Sequence, residues 1–198
     1  MSNKGGRPRE FDIDEALDRA MRVFWEHGYD GASLTDLTDA MGISRTSMYA
    51  AFGNKQDLLG KALQRYSQGP ASYLAEALAQ PTARDMARAM LTGAVRATTD
   101  PEWPAGCLGV QGALVTGGSS EAARDEAAAW RREGCEMVRR RLEAARASGD
   151  LPIDSDPAQL ATYLGTVTYG IAVQAASGVP RTQLDAVAET AMRAWPTT

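Results

Sequence analysis

The spacing of apolar residues and glycines in the first third of the chain constrains the fold most strongly. A helical apolar stripe runs from Ile13 to Phe24, and Asp12 and Gly28 are typical residues for the start and end of that helix. Two shorter helices are predicted across residues 34–52. Three helices this short bury little surface, so we expect them to pack tightly against one another.

A tight turn joins the second and third of these helices. Its sequence is Gly42-Ile43-Ser44, and a glycine there permits the left-handed backbone of a helix-turn-helix. The outward face of the third helix would then be free to enter a DNA major groove. Arg45 could donate two hydrogen bonds to a guanine edge, and Ser44 starts a helix whose free N–H groups favour phosphate. The outward candidates are Arg45, Thr46, Ser47 and Tyr49. The pattern alone also fits many all-α proteins that do not bind DNA.

The net charge of the chain does not indicate binding to nucleic acid. The formal net charge is -4, and residues 1–60 contain seven Lys/Arg against ten Asp/Glu. Any DNA binding must therefore depend on local placement of basic groups. One such place is the amino terminus, where Lys4, Arg7 and Arg9 lie in a glycine- and proline-containing segment. We expect a flexible basic arm over residues 1–10.

The remaining two thirds of the chain also predict helices, so the fold class is all-α. A fourth helix begins at Lys55, and Gly69-Pro70 should bend or break it before residue 79. Further helices are predicted at residues 83–98, 105–116, 120–147, 157–177 and 182–195. The expected organisation is a basic arm at 1–10, a helix-turn-helix domain at 11–54, and a ligand-binding and dimerisation domain at 55–198. No apolar run is long enough to span a bilayer, and a reduced cytoplasmic location is expected.

A longer string of residues carries a family resemblance. It comprises Phe24, Gly28, Tyr29, Thr35, Leu37, Gly42-Ile43-Ser44, Met48-Tyr49, Phe52 and Lys55, with MYAAFGNKQDLL over residues 48–59. This string resembles the amino-terminal signature of TetR-family transcriptional regulators. The resemblance implies a helical homodimer that binds a near-palindromic operator, with a recognition helix at residues 45–51. It also implies phosphate contacts from Thr35, Tyr49 and Lys55, although solvation or helix capping would explain Thr35 and Lys55 as well.

The resemblance also implies a small effector that triggers release of the DNA. The default site for a reversible effector is an apolar pocket in the second domain. The candidate pocket residues are Met86, Met90, Trp103, Cys107, Leu108, Gln111, Trp130, Met137, Tyr163, Val167 and Tyr169. No carboxylate cluster lies among them, so a hydrophobic or aromatic effector is favoured over a polycation. For many of these residues, ordinary core packing is the alternative explanation. Repression is expected, and activation stays open.

A cysteine in the second domain offers a different trigger. Gly106-Cys107-Leu108 resembles a motif in one branch of the family, part of which resembles electrophile sensors. A thiol near a helix amino terminus can have a lowered pKa and greater reactivity. The competing explanation is that Cys107 is a small buried hydrophobic residue. For Cys135, a half-buried position without a role is favoured.

The last two predicted helices are the expected dimer interface. Gly165 and Gly170 interrupt a helix, where glycine is unfavourable unless another helix approaches closely. Ala172 and Ala176 extend the same small-residue surface. Packing within the monomer is the alternative.

Two other functional classes fit the sequence less well than a regulator does. An enzyme is disfavoured because the chain has one histidine, His27, and lacks a Cys–His pair, a metal-ligand cluster and a phosphate-binding loop, so neither metal nor cofactor is predicted. An architectural protein that binds DNA without sequence preference usually carries strong net basicity, which is missing here.

Overall fold

The computed structural model describes residues 11–114 and 121–196. All regular secondary structure in these ranges is helical, which confirms the predicted fold class. The helices are α1 (Ile13–Gly31), α2 (Leu34–Met41), α3 (Arg45–Phe52), α4 (Lys55–Gln68), α5 (Tyr73–Leu78), α6 (Ala83–Thr98), α7 (Leu108–Leu114), α8 (Glu121–Ala147), α9 (Pro157–Ala176) and α10 (Arg181–Arg193). We call α1–α3 the head and α5–α10 the body; α4 joins them. No described helix is both long enough and apolar enough to cross a membrane.

Side-chain caps set the starts of the first four helices. The Asp12 carboxylate accepts the N–H groups of Asp14 and Glu15, and Ser44 accepts the N–H of Ser47. Capping boxes begin α2 at Ser33 and α4 at Asn54. The Gly42 backbone is left-handed (φ 68°) at the end of α2, as the turn requires.

Glycines explain where the structure departs from the predicted helix bounds. Gly28 is a kink (φ 67°, ψ 176°), after which α1 resumes and runs to Gly31 instead of ending. The helix predicted from residue 105 begins at Leu108, because Gly106 has a φ of 95° that excludes it from a helix. Its predicted end at residue 116 lies outside the described ranges. The predicted break at Gly69 is confirmed.

Buried residues form two clusters of similar size. The first cluster runs from the head through α4 to the start of α7, with Phe24, Trp25, Phe52, Tyr66 and Leu108 among its members. The second lies within the body, between α6, α8, α9 and α10. The first cluster therefore packs residues of the head, α4 and the body into one core.

Candidate nucleic-acid interface and ligand cavity

The third helix has one buried and one exposed face. Met48 and Phe52 are 0% and 1% exposed, and they fix α3 against the rest of the head. The opposite face presents Arg45, Thr46 and Tyr49 to solvent, and Tyr49 keeps 48% of its surface exposed. The predicted outward residues therefore lie together, except that Ser47 is only half-exposed. Arg7 and Arg9 of the predicted arm lie outside the described residues.

A hydrogen bond joins the two helices of the helix-turn-helix on this face. The Arg45 guanidinium donates through Nη2 to the hydroxyl Oγ1 of Thr35, at 2.8 Å. Thr35 is exposed in the first turn of α2. The bond holds the arginine over the start of α2, so both polar groups point to the same side of the head.

Two serines fix the start of α3. The Ser44 hydroxyl accepts the Ser47 N–H at 3.1 Å and lies 3.0 Å from the Ser47 hydroxyl. Ser44 therefore serves first as a helix cap. The Ser44 and Ser47 hydroxyls share one hydrogen bond, so one hydroxyl hydrogen remains free to donate on this exposed edge.

The first residue of α4 lies beside the Gly28 kink. The Lys55 ammonium is 4.2 Å from the centre of the Tyr29 ring, a cation–π contact. Tyr29 itself stacks on Phe24 at 6.1 Å. Partial burial lowers the pKa of Lys55, and the nearby Asp30 carboxylate opposes that shift. The sequence had not identified Tyr29 as the residue that positions this lysine.

A cavity of about 530 Å³ lies between α4, α5 and α8, with α6 and α9 behind it. Its walls combine apolar, aromatic and amide or hydroxyl groups. The lining residues are Gly60, Leu63, Gln64, Ser67, Gln68, Ala71, Tyr73, Leu74, Ala75, Leu78, Met90, Glu126, Ala129, Trp130, Glu133, Gly134, Cys135, Met137, Thr168 and Tyr169. This volume is suitable for a drug-sized molecule.

Some of the effector residues predicted from sequence line this cavity. They are Met90, Trp130, Met137 and Tyr169. The others lie elsewhere: Met86 and Leu108 are fully buried core residues, and Val167 packs against the second cluster. Trp103 stacks on Trp25, Gln111 accepts the Trp25 indole N–H at 2.9 Å, and Tyr163 donates to the Ala191 carbonyl. These side chains therefore hold helices together and do not face the cavity.

Sequence analysis missed the wall contributed by α4. Its lining residues, Gly60, Leu63, Gln64, Ser67 and Gln68, follow the i, i+3, i+4, i+7, i+8 spacing of one helix face. Small and amide-bearing residues on a helix face are the available signal. Two carboxylates, Glu126 and Glu133, also line the cavity, and neither was among the candidates predicted from sequence.

The two cysteines occupy different environments. Cys107 is buried immediately before α7, at 5% exposure, and it does not line the cavity. Burial raises the pKa of the Cys107 thiol, although the Tyr66 hydroxyl and the N–H groups of Val110 and Gly109 oppose that shift. The predicted lowering of this pKa is therefore wrong, because desolvation outweighs the helix terminus. Cys135 lines the cavity, with Sγ 4.0 Å from the Tyr169 hydroxyl.

An aromatic chain connects the cavity with the head. Trp130 lines the cavity and donates its indole N–H to the Ser67 hydroxyl at 2.8 Å. The Trp130 ring lies 5.7 Å from Tyr66, which makes an edge contact of 4.9 Å with Trp25 in α1. An ion pair between Arg65 of α4 and Asp18 of α1 reinforces the connection, with bonds of 2.8 and 2.9 Å.

The residues predicted for the dimer interface divide into two groups. A Cβ atom on Gly165 would lie 3.0 Å from Cys135 Sγ, and Ala172 is 2% exposed within the first cluster. Both are buried inside the monomer, so the prediction that they face a partner is wrong. Gly170 and Ala176 are exposed, and a Cβ on Gly170 would meet nothing within 4 Å.

Known proteins resemble this chain along nearly its whole length. Residues 16–62 match bacterial regulatory proteins of the tetR family, and residues 83–194 match the tetracyclin repressor-like C-terminal domain. The HTH-type transcriptional repressor ComR of Escherichia coli (strain K12) is 31% identical over 193 residues, which cover 96% of this chain and 92% of ComR. The repressor AcnR of Corynebacterium diphtheriae is 31% identical over 180 residues, 87% of this chain and 85% of AcnR.

A solved structure shares both the fold and much of the sequence. It is a cysteine-substituted variant of the TetR family transcriptional regulator CifR, complexed with 26-base-pair double-strand operator DNA. It superposes with a TM-score of 0.90 and 46% identity, over 96% of this chain and 100% of that one. The chain therefore belongs to the TetR family of bacterial regulatory proteins, as a DNA-binding transcriptional regulator and not an enzyme.

Proposed function

We propose that this protein is a homodimeric repressor that binds a near-palindromic operator through α3 and releases it when a small, largely hydrophobic effector fills the cavity. The observation that carries the proposal is the exposed face of α3, where Arg45 and Tyr49 stand opposite the buried Met48. ComR and AcnR, by their names, are repressors, and the CifR complex contains operator DNA.

In this proposal, bases and phosphates are contacted by different residues. Arg45 reads a guanine in the major groove, with Thr46 and Ser47 beside it. Phosphates are contacted by Thr35, Tyr49 and Lys55, by the α3 start at Ser44, and by the arm residues Arg7 and Arg9. The acidic residues Asp36, Asp39 and Asp57 keep affinity for non-specific DNA modest.

Dimerisation would use the exposed faces of α9 and α10. Val173 on α9 and Val187 on α10 are 40% and 46% exposed, and Gly170 on α9 is also exposed. The hydroxyls of Thr166 and Thr190 bond carbonyls of their own helices, at 2.8 Å each, which reduces the cost of covering them. Two copies related by a twofold axis would form a four-helix interface, with Gly170 and Ala176 at the close approach.

The trigger would act through α4. An effector must prefer the conformation that holds the two heads at the wrong separation, because equal affinity for both states shifts nothing. The operator requires heads about 34–36 Å apart, one turn of DNA. A molecule in the cavity presses on Ser67 and Trp130, and Arg65 and Tyr66 carry the displacement of α4 to α1.

Covalent modification of Cys107 is a second candidate trigger, and the Gly106-Cys107-Leu108 motif resembles that branch of the family. The observation in its favour is the contact between the Cys107 thiol and the hydroxyl of Tyr66. An adduct on the thiol would displace Tyr66 from Trp25 and Trp130. The burial and raised pKa of the thiol favour the non-covalent trigger over this one. Cys107→Ser should abolish release by a thiol-reactive quinone only if the covalent route operates.

The proposal is tested by selecting duplexes from a randomised DNA library and measuring their binding by fluorescence anisotropy. We expect a near-palindromic duplex to bind far more tightly than random DNA at the same salt concentration, with two protomers per duplex. Sedimentation should give a dimer at micromolar concentration. Equal affinity for selected and random DNA would instead indicate an architectural protein, and a monomer would contradict the proposed assembly.

A further inference from the structure

We propose that the effector is an amphipathic organic cation, with a hydrophobic or aromatic body and one positive charge. This inference rests on the proposed function, since it assigns a chemical class to the ligand of the same cavity. The site is the cavity itself; the acidic side chains determine only which charge it prefers.

The walls suit the hydrophobic body of such a ligand. Leu63, Leu74 and Met137 are apolar, and Tyr73 and Trp130 add aromatic surface on two sides. A tryptophan face attracts a cation more strongly than other aromatic rings do, particularly where water is excluded. About 530 Å³ accommodates a body of several aromatic rings.

The charged groups in the lining are of one sign. Glu126 and Glu133 stand two helical turns apart on α8, with Trp130 between them, and no Lys, Arg or His lies among the lining residues. Within the described ranges, neither carboxylate forms an ion pair. The cavity therefore offers negative potential that no basic side chain in its walls offsets.

Two other acids of the same helix, Glu136 and Glu143, are neutralised by ion pairs. Glu136 pairs with Arg139 and Arg140, whose hydrogen bonds lower the pKa of Glu136 to about 2. Glu143 also pairs with Arg139. Arginines on α8 therefore neutralise Glu136 and Glu143, whereas no ion pair between described residues neutralises the two glutamates in the cavity wall.

A glycine on α4 makes room for one of the unpaired carboxylates. A Cβ atom on Gly60 would lie 3.1 Å from Glu126 Oε1, tighter than an ordinary contact. Glycine is unfavourable in the interior of a helix such as α4, and here it lets the carboxylate lie between α4 and α8. A cation bound to Glu126 would consequently touch the helix that carries the signal to the head. Gln64 and Ser67 on α4 supply neutral acceptors beside it.

The test uses two hydrophobic ions of matched size and shape but opposite charge, tetraphenylphosphonium and tetraphenylborate. Their binding to the full-length dimer is measured by isothermal titration calorimetry. The variants are Glu126→Gln, Glu133→Gln and the double variant, all nearly isosteric with the parent. The matched control is Asp125→Asn, which removes one exposed charge from α8 outside the cavity lining.

We expect the phosphonium ion to bind once per protomer and the borate ion to bind more weakly. Glu126→Gln should weaken phosphonium binding by about tenfold, and the double variant should weaken it further, since a charge-assisted contact is lost. Asp125→Asn should stay within about twofold, because an exposed charge is screened. Equal binding of the two ions, or an equal loss in Asp125→Asn and Glu126→Gln, would overturn the inference.

Operator binding without any probe is measured on the same preparations. If the parent protein binds operator but shows no preference for the cation, the assignment of effector class fails and the proposed function stands. If the parent fails to bind any selected operator, the proposed function fails. Release of operator by phosphonium, but not by borate, would support both.

Discussion

The head and the cavity are built in opposite ways. The groups of the helix-turn-helix that are assigned to DNA lie within residues 35–55, on two short helices, a capped turn and the start of α4. The cavity is lined from α4, α5, α6, α8 and α9, whose residues are up to 109 positions apart, from Gly60 to Tyr169. A local motif can be recognised in the sequence, whereas a cavity exists only after distant helices pack.

The head is also more tightly packed than the body around the cavity. Phe24, Met48 and Phe52 are at most 1% exposed, so the head has little room to deform. The body leaves about 530 Å³ unfilled beside α4. In the proposed function, the tightly packed head contacts DNA, and the unfilled space beside α4 admits the effector.

The largest expected effect tests that difference in packing directly. Phe52→Ala should destabilise the protein by about 3–5 kcal/mol, because it opens a cavity in a fully buried site. Leu74→Ala, in the half-buried cavity wall, should cost about 1 kcal/mol or less, since its surroundings are already incompletely packed. Urea denaturation followed by circular dichroism measures both. Similar losses would contradict the contrast between the two regions.

The next effect concerns DNA contact by the head. Arg45→Ala should weaken operator binding by about 1–3 kcal/mol and relax the preference at one base pair. Arg84→Ala, which removes an exposed arginine from α6, is the matched control and should leave affinity unchanged. Anisotropy titrations against the selected operator and its single-base variants provide the measurement. An unchanged affinity in Arg45→Ala would make the assigned docking face wrong.

Two glycines of α9 sharpen the comparison within the body. Gly165→Leu should destabilise the monomer by about 1–3 kcal/mol, since the new side chain meets Cys135. Gly170→Leu should not destabilise the monomer, because the space outside Gly170 is open in one protomer and leucine favours the helix, but it should weaken the dimer. Denaturation and sedimentation velocity separate the two effects. A dimer unaffected by Gly170→Leu would place the interface elsewhere.

The same two glycines show which features of the body could not be predicted from the sequence. Gly165 and Gly170 look alike as helix interruptions, and only the positions of Cys135 and α8 distinguish a buried contact from an open face. Cys107 presents the same difficulty, because its helix terminus was readable while the burial that raises its pKa was not. By contrast, caps and apolar periods predicted α2, α3 and the outward face of α3, since those features depend on neighbours within a few residues.

Most residues that line the cavity could not be identified from the sequence. Glu126 and Glu133 sit in a charged helix that reads as solvated, and Gly60 gives no sign of the carboxylate it accommodates. Some aromatic residues predicted to line the pocket pack between elements of the fold instead; Trp103, for example, stacks on Trp25 of α1. The sequence indicated that the body is helical and rich in apolar and aromatic residues, but not which of those residues contact one another.

The smallest expected effect concerns Lys55 and pH. Partial burial lowers its pKa below the usual 10.5, so the folded protein loses this charge at a lower pH than an exposed lysine would. The charged form binds phosphate, so operator affinity should fall as pH rises through the lowered pKa. As pH rises toward 10.5, the parent should therefore lose more operator affinity than Lys55→Arg, whose guanidinium stays charged. Parallel pH profiles for the two proteins would show that Lys55 does not contact the DNA.

Coupling between cavity and head is the central claim, and a variant that fills the cavity tests it without any ligand. A Cβ atom on Gly134 would lie 3.5 Å from Leu74 in the cavity wall, an ordinary contact, so Gly134→Ala should bind operator like the parent. Gly134→Phe places a ring where the effector would sit and should weaken operator binding by about tenfold, within the usual range of coupling between sites. The measurement is operator anisotropy, on protein shown to be folded and dimeric by circular dichroism and sedimentation. A folded, dimeric Gly134→Phe that binds operator as tightly as Gly134→Ala would contradict the account.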